Sequence, residues 1–408
     1  MSSLSSKKTV RPGTLFLTYQ CPSFAGSGPY IRSAALLRMI AARGEVHVII
    51  VNRYQQMPGP CDPPSNFPYA AISYLRILPE SGTADHCIRV ASEVPYPKLP
   101  TVDCPLTGVA DFISGYARKH HLEQVFVFRI ETLFFVQGCL DFFSTRLLDL
   151  DELPSRRDRM ITSLKEGPLD PIEKRSYITS QVLERTQLSR FHHVFVASEV
   201  EAEAVRKHTT FQHPSVLPNI HSRKSALPPS PQTAPYEILF VGILSYFPNQ
   251  DGVLWFCREV LPLLRQKRGD SVLFRVIGFG NTPELKPIWH LPGVIFSGYQ
   301  DDLIPFYTRA TMTVVPLRAG TGTRLKILEA FAYNRPVVST TIGAEGLEVT
   351  HDKNILLADK AEAFAEACLS LIDQPDLGRR ITESASHLCR ELYSEEALLR
   401  RYDEIMKA

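Results

Sequence analysis

Short apolar runs of four to six residues recur along most of this chain, separated by longer mixed stretches. That is the pattern of buried parallel strands joined by helices. Leu15–Thr18 and Val46–Val51 flank a helical stretch, Ile31–Ala42, with Gly44 just past its end. Strand, loop, helix, strand is a βαβ opening for a doubly wound domain. The glycine loop Gly26-Ser27-Gly28 falls where the first strand ends and the helix begins, the ligand-binding edge of such a sheet. From Met57 to Leu106 the pattern degrades: only Ala71–Leu78 reads as a strand, and Pro95–Pro105 is broken by prolines. Order returns at Val125–Ile130, a strand that leads into Arg129 and Glu131, followed by a helix through Phe142. Thr145–Leu150 is the next strand. It runs into Asp149, Asp151 and Glu152, read here as a strand-end cluster capping the following helix. A helical stretch covers 171–189, His193–Ala197 is a strand, and Ser198 is placed to cap a helix over Glu199–His208.

Residues 221–235 are rich in Pro and Ser and show no periodicity, which predicts a linker. A second series then starts: strands at Glu237–Val241, Val272–Ile277, Val294–Ser297 and Thr311–Val315, and closing helices from about Ala361. The division predicted is 1–220, a linker at 221–236 and a second domain at 237–390, with the last helix, about 391–408, returning to the first domain. Gly278-Phe279-Gly280 has the start of a dinucleotide-binding loop but lacks the third glycine and the supporting acid.

The segment richest in chemistry is Pro316–Leu347. A small-residue turn, Ala319–Thr323, opens a helix over Arg324–Tyr333, and Pro336–Thr340 begins the next strand. Such a turn lets backbone N–H groups approach an anion closely. Arg324 and Lys326 add positive charge beside it, and Glu329, one and a half turns into the helix, can accept hydrogen bonds from sugar hydroxyls. Phosphate donors, two cations and a hydroxyl acceptor together suit a nucleoside diphosphate-sugar.

The turn Gly320–Thr323, Glu329, the Pro336–Val338 strand and the Gly343–Gly346 loop resemble the C-terminal signature of retaining GT-B glycosyltransferases, especially glycosyltransferase family 4. The resemblance covers most of 237–390 and reaches the first half of the chain only as layout. It implies an α/β fold of two Rossmann-like doubly wound domains facing a central cleft. It also implies transfer of a sugar from a nucleotide-sugar of UDP or GDP type, with retention and without a metal or other cofactor. The donor-binding residues it implies are Gly242, Tyr299, Gln300, Gly320, Thr321, Gly322, Thr323, Arg324, Lys326 and Glu329. Tyr299–Gln300 would meet the base and Glu329 the ribose. The loop Gly26-Ser27-Gly28 would face the phosphates or the acceptor, and Arg129 and Glu131 are candidate catalytic residues at a strand end. The sequence departs from the family pattern twice. Thr321 stands where the pattern has its first Glu, and the loop after the first strand of the second domain, GILSYFPNQDG, lacks the usual Arg and Lys. Arg324 and Lys326 are the natural substitutes. Other readings stay open: a sugar-nucleotide epimerase, or an inactive nucleotide-sugar-binding partner subunit.

Composition narrows the partners. A formal net charge of +2 over 408 residues gives no global field for nucleic acid or membrane. The eight cysteines show no CxxC pair and the 12 histidines no ligand spacing, which predicts reduced thiols in a cytoplasmic protein and no zinc site. The expected acceptor is a glycan, a lipid-linked glycan or a small molecule. The basic run Arg156, Arg157, Arg159 and Lys165 is the candidate for peripheral contact with an inner membrane face.

Overall fold

A computed structural model describes residues 13–24, 28–51, 69–78, 101–164, 171–221, 227–280 and 282–407. The glycine-loop residues Gly26 and Ser27, and Lys165 of the basic run, lie outside them. The chain forms two compact units. The first comprises residues 1–151, 174–196 and 202–216; the second comprises 152–173, 197–201 and 217–408.

Among the described residues the first unit holds eight strands: β1 Gly13–Thr18, β2 Val46–Val51, β3 Ala71–Leu78, β4 Thr101–Pro105, β5 Leu122–Phe128, β6 Thr145–Asp151, β7 His193–Val196 and β8 Ser215–Val216. Their order is β4-β3-β2-β1-β5-β6-β7-β8, and every pairing is parallel. β2 is buried at every position, as a strand covered on both faces must be. Phe16, Phe126 and Phe195 stack across β1, β5 and β7 in the same core. The proline-broken stretch that ends at Pro105 does contain a strand, β4. β4 is the outermost strand, and at an edge a proline costs no ladder hydrogen bond on the open side.

Among the described residues the second unit holds six strands: β9 Tyr236–Val241, β10 Val272–Ile277, β11 Val294–Phe296, β12 Ala310–Val315, β13 Val337–Ser339 and β14 Leu356–Leu357. They lie in the order β11-β10-β9-β12-β13-β14, again all parallel. Each sheet, with its crossover helices, is a Rossmann-like doubly wound domain, as the GT-B resemblance implies. The helix over 247–268 carries a π-helical turn at Phe256–Val260, which brings Phe256 against Phe274 at 4.3 Å between ring centres. Arg335 is wholly buried and its guanidinium is spent on backbone carbonyls, including those of Tyr307 and, at 2.8 Å, Pro228.

Among the described residues three buried thiols lie in the first unit (Cys21, Cys104, Cys139) and three in the second (Cys257, Cys368, Cys389). Burial pushes Cys139 and Cys257 up to about 12 and Cys389 up to about 11, so these side chains behave as small hydrophobes. Among the described residues no helix is long and apolar enough to cross a membrane.

Candidate functional site

The second unit brings the small-residue turn, the start of the 325–332 helix and the end of β9 together. Gly320 and Gly322 take φ of +111° and +72°, which lets the chain double back between β12 and the helix. Arg324, the residue before the helix, folds its guanidinium back onto the turn. Its Nη1 donates to the carbonyls of Thr321 and, at 2.5 Å, Gly322. Its Nη2 is buried and has no hydrogen-bond partner among the described residues, and it sits 3.0 Å from where a Cβ on Gly320 would lie. A buried guanidinium nitrogen left over in this way is a donor waiting for an acceptor.

Lys326 points at the end of β9. Its Nζ donates to Asn249 Oδ1 at 2.8 Å and lies 4.1 Å from the centre of the Phe240 ring. A Cβ built on Gly242 would come 2.9 Å from this nitrogen, so Gly242 and Lys326 share one small space. Burial is the main cause that drives the amine down to about 7; Arg324 pushes the same way and Glu329 opposes. Asn249 is fixed from the other side, its Nδ2 donating to the Ile243 carbonyl at 2.9 Å. Glu329, one turn further along the helix, accepts from the Tyr307 hydroxyl at 3.1 Å. Tyr307 is itself anchored by Arg335 on its carbonyl and by Tyr333, with ring centres 4.6 Å apart.

The outer side of the turn faces carboxylates. Thr321 Oγ1 donates to Glu152 Oε2 at 2.7 Å, and the Gly322 N–H points at Glu201 Oε1 from 3.5 Å. Asn219 Nδ2 donates to Thr323 Oγ1 at 2.6 Å. Burial raises the Glu201 carboxyl, while the Leu153 N–H and Arg156 pull it back. Glu152 is paired with Arg157 at 2.9 Å, and Arg156 bridges Glu201 and Glu345. Arg156 and Arg157 of the basic run are therefore partly buried and ion-paired, not presented as a solvated cationic face.

The other expected residues are placed as follows. Tyr299 is exposed, its ring 6.3 Å from that of Phe279, and Gln300 Nε2 donates to the Ser297 carbonyl at 2.7 Å. Both follow β11 and are not joined to Lys326 by any direct bond. Gly278 and Gly280 serve close packing: a Cβ on Gly278 would fall 1.8 Å from the Gly242 carbonyl oxygen, and one on Gly280 would fall 2.6 Å from Ser245 N. In the first unit Gly28 opens the 28–41 helix. Arg129 is buried, takes φ 65° and ψ 152°, and lies 3.8 Å from Glu131. That backbone region costs a residue with a side chain on the order of 1–3 kcal/mol. Burial raises neighbouring Tyr19 to about 12 against the pull of Arg129.

The acidic cluster at the end of β6 makes ion pairs to other elements. Asp149 is fully buried and holds Arg32 through two bonds, 2.8 and 2.6 Å, and Asp151 adds a contact at 3.5 Å. Burial opposes the Arg32 charge, and the two aspartates outweigh it, leaving the guanidinium above its usual value. Among the described residues no group of three His, Cys, Asp or Glu side chains could hold a metal.

Sequence reasoning missed Asn249, Tyr307, Glu152, Glu201 and Asn219. The Asn in SYFPNQDG was the one available signal, since it stands in the loop from which a cationic clamp was missing. The carboxylates come from distant segments, and no spacing rule pairs residues 152 and 321.

Residues 235–374 match the family model described as glycosyl transferases group 1. That match lies within the second unit and spans 140 of the 408 residues, so it likens this part of the chain to glycosyl transferases. By sequence the chain is similar to an uncharacterized 44.6 kDa protein in the cps region of Klebsiella pneumoniae, 26% identical over 168 residues. That match spans 39% of this chain and only 43% of the relative's length. By structure it is similar to sucrose-phosphate synthase from Thermosynechococcus elongatus, with a TM-score of 0.68 at 16% identity over 97% of this chain and 98% of that one. It is also similar to Anabaena HepE in complex with UDP and glucose, with a TM-score of 0.62 at 12% identity over 97% and 100% of the two chains.

Proposed function

We propose that this protein transfers a sugar from a nucleoside diphosphate-sugar to an acceptor hydroxyl, in the manner of glycosyltransferase family 4, with retention at the anomeric carbon. The observation that carries the reading is the pair of cationic groups at the turn: the unpartnered Arg324 Nη2 and the Lys326 amine beside Gly242. Both are aimed where a diphosphate would sit against the turn's backbone. Charge builds on the departing diphosphate as the glycosidic bond breaks, and fixed cations there stabilise the transition state. They supply the charge neutralisation that other transferases take from a divalent ion. Glu329, oriented by Tyr307, accepts from the ribose hydroxyls, and Tyr299–Gln300 meets the base. Arg129 and Glu131 are the candidate catalytic residues, the Gly26–Gly28 loop would face the phosphates or the acceptor, and the acceptor is a glycan, lipid-linked glycan or small molecule. The UDP and glucose bound by the similarly folded HepE support a donor of the UDP type.

The test is thermal stabilisation by UDP, GDP, ADP and TDP, followed by release of the matching diphosphate from its sugar esters. One diphosphate at 100 times its Kd should stabilise by about 2.7 kcal/mol. Glu329→Ala should cut turnover more than tenfold with the melting temperature retained. Stabilisation by none of the four, or full turnover in that variant, would overturn the reading.

A further inference from the structure

The loop after β9 carries no Arg or Lys, yet one of its residues meets the Lys326 amine. Asn249, in the first turn of the helix that starts at Phe247, is buried and held at three points. Its backbone N–H donates to the Tyr246 carbonyl at 3.0 Å, its Nδ2 donates to the Ile243 carbonyl at 2.9 Å, and its Oδ1 accepts from Lys326 Nζ at 2.8 Å. These partners fix which way the amide points. Turned over, it would set two donors against each other at Lys326 and two oxygens against each other at Ile243. Gly242 makes the arrangement possible: a Cβ there would fall 2.8 Å from Asn249 Nδ2 and 2.9 Å from Lys326 Nζ.

The charge of the partner matters as much as its place. Among the described residues the amine is met by a neutral amide and, at 4.1 Å, by the Phe240 ring, with no carboxylate at ion-pair distance. Arg324 and Glu329 act on it through charge, with opposite sign. The carboxylate two residues beyond Asn249, that of Asp251, is bound to Arg318 at 2.9 and 2.5 Å. We propose that Asn249 is a positioning residue for the donor: its amide oxygen holds the Lys326 amine beside Gly242 and, being uncharged, leaves the positive charge of that amine for the diphosphate. The inference rests on the donor-site reading given above and names the residue through which Lys326 is aimed. Asn249 need not touch the ligand, because its effect passes through the amine.

The experiment is a double-mutant cycle on UDP and GDP binding, read by calorimetry at pH 7 on the full-length protein. Asn249→Ala should weaken diphosphate binding about tenfold or more, the scale of losing one hydrogen bond to a charged group. In the Lys326→Met background the same change should weaken it by less than about twofold, since nothing is left to aim. Equal losses in the two backgrounds, or wild-type affinity in Asn249→Ala, overturn the role of Asn249 and leave the donor site standing. Asn249→Asp keeps the shape and serves if the alanine variant does not fold. Its carboxylate would hold the amine charged before the ligand arrives, so the fall in affinity between pH 7 and 9 should shrink by at least about fivefold relative to wild type. An unchanged pH dependence in that variant also overturns the proposal. Failure of wild type to bind either diphosphate overturns the donor site and this inference with it.

Discussion

Diphosphate binding should draw a proton onto Lys326, and the affinity should therefore fall as the pH rises above neutrality. In the ligand-free protein the amine is held down to about 7, by burial first and by Arg324 second, with Asn249 Oδ1 as its close hydrogen-bond acceptor. Lowering an amine that far corresponds to roughly 5 kcal/mol at about 1.4 kcal/mol per pKa unit, an upper bound for a group at the edge of a sheet. A diphosphate beside Gly242 reverses the sign, because the opposite charge favours the ammonium form. The complex then holds more protons than the free protein, so raising the pH weakens binding. At pH 8 about nine-tenths of the amines are neutral before binding, so uptake should be about 0.9 proton per ligand, falling to about 0.5 at pH 7. Between pH 7 and 9 the Kd should rise about fifty-fold. The ligand's own last phosphate ionisation, near 6, is complete over this range. Calorimetry of UDP binding at pH 8 in HEPES and in Tris, whose ionisation enthalpies differ, gives the uptake directly from the difference in observed heats. Lys326→Met should bind more weakly and show no buffer dependence. Strong binding by wild type with no buffer dependence at pH 8 would refute the argument, since the amine would then be charged before the ligand arrived.

Two further predictions concern what holds the sheets' edges in place. Asp149→Asn should strip the buried Arg32 of its main counter-charge and cost about 3–5 kcal/mol, read as a lower urea midpoint for the first unit; a loss under about 1 kcal/mol would show that Asp151 suffices. Gly278→Ala puts a Cβ 1.8 Å from the Gly242 carbonyl oxygen, so the variant should melt far below wild type and lose diphosphate binding with it. Wild-type melting would mean that the loops after β9 and β10 separate freely.

Most of the strands were legible because a parallel strand covered on both faces is largely apolar, and Val46–Val51 and Val272–Ile277, each with one polar residue, fall on the expected residues without adjustment. β4 was hidden by its prolines, which an edge position tolerates and a periodicity rule penalises. The two-residue strands β8 and β14 carry too little pattern to be seen at all. At the candidate site the local part was readable: turn, helix and Glu329 lie within one short stretch, so spacing alone brings them together. Lys326 shows the limit of that reasoning. Its sequence position places it beside Glu329, but its amine reaches Asn249 and Gly242, which only the crossing of β9 and the helix puts within range. The acidic run Asp149, Asp151, Glu152 shows a related limit. Three neighbouring acids look like one feature, yet a strand alternates its side chains between faces. Asp149 and Asp151 turn to Arg32, while Glu152 goes to the turn at Thr321.

The buried thiols divide the molecule in a way that can be timed. Among the described residues each unit encloses three, and a thiol can be alkylated only when its surroundings open and the sulfur ionises. A pulse of iodoacetamide followed by peptide mass analysis thus turns Cys21, Cys104 and Cys139 into one clock and Cys257, Cys368 and Cys389 into another. If a nucleotide tightens only the half that holds it, the second clock should slow while the first keeps its pace. The wild-type chain would then report, without any engineered label, which half a given compound has found.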